Sequence, residues 1–471
     1  MSAYTPERIA DILQGELLAS PAPAADCRGA SVDTRRIRQG EIFFALVGER
    51  TDGHLFVEEA FRRGAEAAVV RRSRAGDLPA TIDRGRVVAV EEPAAALEKL
   101  AAHHRDRLGA RVLAVTGTNG KTTTKELIAA ALRGAGRTAS SPENWNTAIG
   151  VSLAILRVEE GTRWAVLELG ISAPGEMIRL ASIVRPDAAV FTNVRAAHLE
   201  GLGSLENTAR EKCLLLNRLA PGGAVYANGD DPVLLRTIRL AGREPVTFGF
   251  CPECAIRPEK TDPWGDEGIR LEMPEGSSFR VDLYGNHQVP NLLAAIAVAR
   301  GEGIDDGAIA RGLRGFTPPP GRFRPIREEG VLFIDDTYNA NVASVTGAIE
   351  FLARRPSGRR HLLFGDMMEL GAEEERAHRE VGMAAAGAGL DRLWLVGERT
   401  RHTAEAASAA GMPPERIVRC GEDREAWAER IAGELEPGDT LVAKASRAMA
   451  MERILRAVRR AYSAAARGSE A

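Results

Sequence analysis

Residues 111–132 read RVLAVTGTNGKTTTKELIAAAL. The apolar run at 111–115 has the near-continuous hydrophobicity of a parallel strand covered on both faces. It passes into a turn carrying Gly117 and Gly120, and then into a helix-forming segment. Strand, glycine-rich turn and helix in that order give the context of a phosphate loop. Backbone N–H groups turn inward at the glycines, and the helix N-terminus adds its dipole. Lys121 would neutralise terminal phosphates and the Thr122 hydroxyl would reach Mg²⁺, with Thr118, Asn119 and Thr123 completing the loop. The spacing departs from the general form GxxxxGK[ST], because Gly117 lies only four positions before Lys121. A glycine-rich strand-to-helix turn without a ligand is the alternative.

Two more strand ends supply what phosphoryl chemistry would need. WAVLELG, 164–170, puts Glu168 at the exit of a buried strand, where a carboxylate can hold Mg²⁺. FTNVRAAHLEGLGS, 191–204, places His198 just past the next strand, at the same sheet edge. Lysine usage points to a further group. Only six of the 62 basic residues are lysine, namely Lys99, Lys121, Lys125, Lys212, Lys260 and Lys444. A chain that writes arginine for ordinary positive charge makes each lysine worth locating, since lysine is a compact charge whose amine can be deprotonated and modified. Lys212 falls on a predicted helix in NTAREKCLLLNRL. Its amine could add CO₂ to become a carbamate, an anionic oxygen ligand for a hard metal, which arginine cannot do. Lys99, Lys125 and Lys260 acquire no chemistry from the sequence.

Composition bounds the rest. At 471 residues, length suggests about three domains. Apolar content of 44% and charged content of 27% are those of a globular chain, and a net charge of −3 gives no global pull toward nucleic acid. Apolar runs fall short of the ~20 residues that span a bilayer. The start, MSAYTPERIADILQGELL, reads as a short amphipathic helix and not a signal peptide, so an integral membrane location is not expected and a cytoplasmic one is. Five scattered cysteines make no disulfide framework. Cys251-Pro-Glu-Cys254 alone has metal-like spacing. A tetrahedral zinc site needs two more ligands and no second CxxC or HxxxH follows, so a surface turn between strands is the preferred reading.

Three regions separate by pattern. The first, to about residue 108, mixes short strands and helices, as in EIFFALVG and FVEEAFRRGAEAAVV. The second continues from the phosphate loop through strand candidates WAVLEL (164–169), AAVFTNV (188–194) and AVYAN (224–228). A Pro-rich hinge, FTPPPGRF, spans 316–323. Beyond it VLFIDD, HLLFGD, RLWLVG and DTLVAKAS each read as a strand with a polar loop at its C-terminal end. That is a second doubly wound unit, with a ligand crevice expected at the strand C-termini.

Taken together the motifs resemble the Mur ligases, ATP-dependent enzymes that extend the peptide of peptidoglycan precursors. TGTNGKTTTKE resembles the family phosphate loop, PENWNTAIGVSLAIL its Asn-rich segment and ELGISAPGEM its metal-binding strand end. TNVRAAHLEGLGS and AREKC resemble its His and carbamoylated-Lys elements, and GNHQVPNLLAA its adenine-side segment. DDTYNAN, GDMMELG and KASRAMAME resemble its C-terminal signatures, in the wording of the member that joins D-alanyl-D-alanine to UDP-N-acetylmuramoyl-tripeptide. The DNPR motif usual in the diaminopimelate-adding relative does not occur.

The resemblance implies an α/β protein of three domains. These are a small mixed α/β N-terminal domain for UDP over 1–108, a central P-loop ATPase domain over 109–317, and a C-terminal Rossmann-like domain over 318–471. ATP and two Mg²⁺ ions are the implied cofactors, and the chain is expected to be a monomer. Lys121 would contact the ATP phosphates. Thr122 and Glu168 would hold one Mg²⁺, His198 and carbamoylated Lys212 the second. Asn291 would lie against adenine, and Arg322 and Asp336 would reach ATP from the third domain. Asp33, Thr34 and Arg35 fall where uridine binding is expected, and Asn144 and Asn146 in the substrate-side segment. Asn339, Asn341, Lys444, Ser446 and Arg447 are candidates for the D-alanyl-D-alanine end. NWNT, with Thr147, replaces the commoner paired Asn, Arg195 stands where Gly is usual, and Ala445 replaces a Gly. Rival readings are a diaminopimelate- or lysine-adding Mur ligase, a folylpolyglutamate synthetase-like ligase, and a switch protein that hydrolyses ATP without ligation.

Overall fold

The apolar run at 111–115 forms the strand Arg111–Thr116, buried on both faces inside a six-stranded, wholly parallel sheet. The computed structural model describes residues 4–20, 26–49, 51–195, 202–265, 267–421 and 423–468. Across the central sheet the strands run Val246–Phe248, Ala224–Asn228, Ala188–Phe191, Arg111–Thr116, Trp164–Glu168 and Thr138–Ser140. The chain leaves Arg111–Thr116 in one direction for the strands at 138–140 and 164–168, and in the other for those that follow. The turn after Thr116 therefore sits at a topological switch point, the place where open parallel sheets bind ligands. Val112, Leu113, Val115, Val166, Leu167, Val190 and Phe191 are all essentially inaccessible, as the sequence pattern requires.

A five-stranded sheet precedes it, in the order Glu16–Leu17, Val87–Val90, Ala67–Arg71, Ile42–Phe44 and Ala30–Ser31, parallel except for the first pair. The amphipathic N-terminal segment forms the helix Pro6–Leu13, which buries Ile9, Ala10 and Leu13. The Pro93–Arg107 helix joins this unit to the central one. Arg105 donates to Val184 O (2.9 Å), Arg185 O (2.9 Å) and Asp187 Oδ2 (2.7 Å). Asp187 Oδ2 also accepts the Val112 N–H at 2.7 Å. Apolar packing crosses the same joint, because Ile9, Phe44, Leu97 and Leu100 share one hydrophobic core with Val112, Ile155, Leu167 and Phe191.

Past the Pro-rich segment a third sheet runs Arg324–Glu328, Val331–Asp336, Thr440–Lys444, Arg360–Gly365, Arg392–Val396 and Ile417–Cys420. The first pair is antiparallel and the rest parallel. All four strand candidates beyond the hinge are present. The sequence pattern did not reveal the small antiparallel sheet Lys260–Asp262, Ile269–Glu272, Ser278–Val281, whose strands are short and half exposed. Among the described residues no helix is long and apolar enough to cross a membrane.

Asp187→Ala would leave the Val112 N–H without its acceptor and the largely buried Arg105 guanidinium without its carboxylate. A loss of about 3 kcal/mol is expected, read as a lower denaturation midpoint.

Candidate active site

The phosphate loop is built by strapping its backbone to the neighbouring strand end. Thr118 N–H donates to Asn193 O at 2.8 Å and Asn119 N–H to Asn193 Oδ1 at 3.0 Å. Thr192 Oγ1 donates to Asn119 O at 2.7 Å. The close approach requires glycine: a Cβ on Gly117 would lie 1.9 Å from Thr192 Oγ1. Gly120, at φ 78°, sits in the left-handed region, and a Cβ there would lie 2.4 Å from Asn291 Oδ1. The helix Lys121–Arg133 then starts with its N-terminus open to a cleft of about 530 Å³.

Two lysines meet on one carbonyl beneath this loop. Lys121 Nζ donates to Gly117 O (3.1 Å) and Thr118 O (2.9 Å). Lys212, on the helix Leu205–Cys213, is only 3% exposed and donates to Gly117 O at 3.0 Å. It is no surface lysine. Burial, and then the positive charge of Lys121, push the Lys212 pKa down to about 7. Burial likewise lowers Lys121, against the pull of Glu168.

Glu168 ends its strand 1% exposed. Its N–H donates to Ser141 Oγ at 3.1 Å, and its Oε1 accepts from Asn146 Nδ2 at 2.9 Å. Its Oε2 has no partner, and neither has the buried Thr122 Oγ1. Two orphaned oxygens, one a carboxylate, lining the same cleft fit a hard divalent cation. His198, expected to complete a second such site, lies outside the described residues.

The third sheet closes the far wall. Asp336 and Lys444 end adjacent strands and form an ion pair at 2.5 Å, with Lys444 Nζ also donating to Asn339 O at 3.0 Å. Arg322 lies over the Tyr338 ring at 3.6 Å and lines the cleft with Asn339 and Asn341. His287, in the same wall, is held neutral: burial and then the Lys444 charge push it down to about 3. Asn291 is committed to Thr124 Oγ1 (3.0 Å) and Gln288 Oε1 (2.7 Å), directly against Gly120. A second recess of about 420 Å³, lined by Lys121, Asn144, Asn146, Thr147 and Tyr338, adjoins the first.

Several sequence candidates are committed to holding the fold or lie outside the cleft. Asn341 spends its Oδ1 capping the helix Val342–Ala353, and its Nδ2 donates to Asn119 Oδ1 at 2.8 Å, so it bridges the third sheet to the phosphate loop. Ser446 is buried under Met368, whose N–H it accepts at 2.8 Å. Arg447 pairs with Glu452 beside a separate recess of about 160 Å³. Asp33, Thr34 and Arg35 form a surface turn in which Asp33 caps and pairs with Arg35 (2.7 Å), and they line neither recess. Thr147 caps the helix Ala148–Leu156.

Sequence reasoning missed Lys125. It is fully buried, and its Nζ donates to Ser141 O (2.5 Å) and Glu143 O (3.2 Å), with Glu126 paired at 2.8 Å. It thereby fixes the loop that presents Ser141 and Asn146 to Glu168. Its rarity and its place one helical turn after Lys121 were the available signals.

With this geometry in hand, sequence comparison gives the class. The Mur ligase middle domain matches residues 115–299, the "Mur ligase, glutamate ligase domain" 321–447, and the "Mur ligase family, catalytic domain" 27–105. The chain belongs to the Mur ligase family. It is 37% identical to the UDP-N-acetylmuramoyl-tripeptide–D-alanyl-D-alanine ligase of Escherichia coli K12, over 97% of this chain and 99% of that one. The crystal structure of MurF from Acinetobacter baumannii matches it with a TM-score of 0.84 at 26% identity, covering 98% and 99% of the two chains. MurF ligase from Thermotoga maritima, solved in complex with ADP, matches with a TM-score of 0.78 at 29% identity, covering 92% and 98%.

Two outcomes are expected. A lysine whose folded pKa lies near 7 takes up a proton on unfolding at any pH between about 7 and 10.4, so its contribution to stability rises with pH across that window. Lys212→Met should therefore be more stable than the parent at pH 6.5, with the gap narrowing by pH 9.5 in paired denaturation curves. Lys125→Met should lose about 2–3 kcal/mol, again measured by denaturation, because the Ser141 and Glu143 carbonyls lose a charged donor.

Proposed function

We propose that this chain uses ATP to join D-alanyl-D-alanine to UDP-N-acetylmuramoyl-tripeptide, giving the pentapeptide precursor of peptidoglycan with release of ADP and phosphate. The observation that carries the reading is one cleft in which the phosphate loop and the orphaned Thr122 and Glu168 oxygens face the Asp336–Lys444 pair of the third sheet. The end-to-end match to ligases of that printed name supports the substrates.

A carboxylate is a poor electrophile and must first be given a leaving group. Transfer of the ATP γ-phosphoryl to the tripeptide carboxylate makes an acyl phosphate. The dipeptide amine then attacks its carbonyl, and the tetrahedral intermediate expels phosphate. Lys121 would leave the Gly117 and Thr118 carbonyls to meet the terminal phosphates, while the loop N–H groups and helix N-terminus receive them. Thr122 and Glu168 would hold one Mg²⁺, with Asn146 fixing the carboxylate. Lys212 exists partly as neutral amine near pH 7, the form that adds CO₂, and as a carbamate would hold a second ion with His198. Bound Mg²⁺ would offset the charge repulsion between carboxylate and triphosphate. Arg322 and Asp336 would reach ATP across the cleft beside Asn291. The Asn144–Asn146 recess would take the peptide carboxylate, and Asn339 and Lys444 the incoming dipeptide. Holding all three reactants in one orientation supplies much of the acceleration. Residues 1–108, 109–317 and 318–471 would serve UDP, ATP and dipeptide in turn. Dependence on ATP supports a cytoplasmic site.

The test is mass spectrometry of the product from UDP-N-acetylmuramoyl-tripeptide, D-alanyl-D-alanine and ATP. The expected product is the pentapeptide. Phosphate release independent of any amine would point to a switch, and a product only with diaminopimelate or lysine to the earlier ligase. Lys212→Ala should lose most activity and regain some with short carboxylates. A Lys212→Arg variant as active as the parent would sink the carbamate.

A further inference from the structure

The edge strand Val246–Phe248 of the central sheet runs into Cys251-Pro-Glu-Cys254, a tight turn closed by Cys254 N–H donating to Cys251 O at 3.0 Å. The loop is folded back on its strand by Ile256 N–H to Thr247 O (2.9 Å) and Gly249 N–H to Ile256 O (3.1 Å). Beside it stands Asp230, two residues past the end of the neighbouring strand Ala224–Asn228. One ligand atom each from Cys251, Cys254 and Asp230 lies within 4.8 Å of the other two, the only such triad of His, Cys, Asp or Glu among the described residues. Sequence spacing supplied two ligands and pointed to a plain surface turn. The third comes from a different strand end, which only the sheet order brings alongside.

The surroundings suit an ion. Asp230 is oriented by backbone donors, with the Phe250 N–H on both oxygens (3.0 and 2.9 Å) and the Cys251 N–H on Oδ1 (2.8 Å). Gly229 leaves the space open, since a Cβ there would lie 2.2 Å from Cys254 Sγ and 3.1 Å from Cys251 Sγ. Cys254 is buried, while Cys251 and Asp230 are half-buried and give a cation a way in. Two sulfurs and a carboxylate oxygen are the donor set of a borderline-soft, tetrahedral ion, not of Mg²⁺. A carboxylate facing both sulfurs also disfavours the thiolate that thiol–disulfide exchange requires.

We propose that Cys251, Cys254 and Asp230 bind a zinc-class divalent cation, with water as the fourth ligand and both thiol protons released on binding. The ion would clamp the 249–256 loop to the Ala224–Asn228 strand end. That strand end feeds two groups to the cleft region: Asn228, which lines it, and Asp231, which accepts the Val194 N–H at 2.7 Å.

The test is Co²⁺ titration of the full-length, tag-free protein, kept reduced with a phosphine. One equivalent should produce a thiolate-to-cobalt charge-transfer band and tetrahedral d–d bands, both displaced by Zn²⁺. Cys251→Ser should abolish the charge-transfer band or cut Co²⁺ affinity by roughly tenfold or more, and Asp230→Asn should keep the band while weakening binding similarly. Circular dichroism checks that each variant is folded. Co²⁺ bound near Glu168 would show no sulfur band, so failure here is distinguishable from failure of the ligase reading. Reduced parent protein with no such band, a band that survives Cys251→Ser unchanged, or cysteines found joined as a disulfide after purification with zinc would each overturn the proposal.

Discussion

Two ammonium-bearing side chains converge on the carbonyl of Gly117, the half-buried Lys121 at 3.1 Å and the buried Lys212 at 3.0 Å. Two full charges there would repel strongly, because little solvent screens them. The fold answers by loosening the proton on Lys212 and by setting Glu168 within range of Lys121. The neighbouring arrangement follows from this. The loop must be strapped by Thr192 and Asn193, or the carbonyl would not stay put. Lys125 must hold the 141–143 backbone so that Asn146 can orient Glu168. An incoming anion would relieve the frustrated cluster, so a site this costly without a ligand is suited to phosphate.

What could be read in the sequence divides along a physical line. Strands covered on both faces announce themselves as unbroken apolar runs, so the central and third sheets were legible, as was the loop between Thr116 and Lys121. Lys212 was singled out through composition, since each lysine of so few is worth locating, although scarcity is a pointer and not proof: Lys260 is an ordinary exposed lysine. Contacts made across sheets leave no periodic trace. Nothing near Asn341 says that its amide reaches Asn119, and nothing near Ser446 says that it supports Met368 instead of facing the cleft. Lys125 stands between Thr124 and Glu126, and polar neighbours of that kind carry no sign of burial. Only the packing of the helix Lys121–Arg133 against the 141–143 loop shows otherwise.

The two joints of the molecule differ in kind. The first and central sheets share hydrocarbon, from Ile9 and Leu97 through to Ile155 and Phe191, pinned by Arg105. Of the buried residues in the two apolar clusters of the third sheet, only Tyr284 comes from before the Pro-rich segment. Its meeting with the phosphate loop is polar, through Asn341 and Asn119. Interlocked methyl groups resist sliding over their whole area, whereas amides exchange partners with water at little cost. The second joint is therefore the one that would part first under load, and the unit beyond it holds the Arg322, Asp336 and Lys444 side of the cleft.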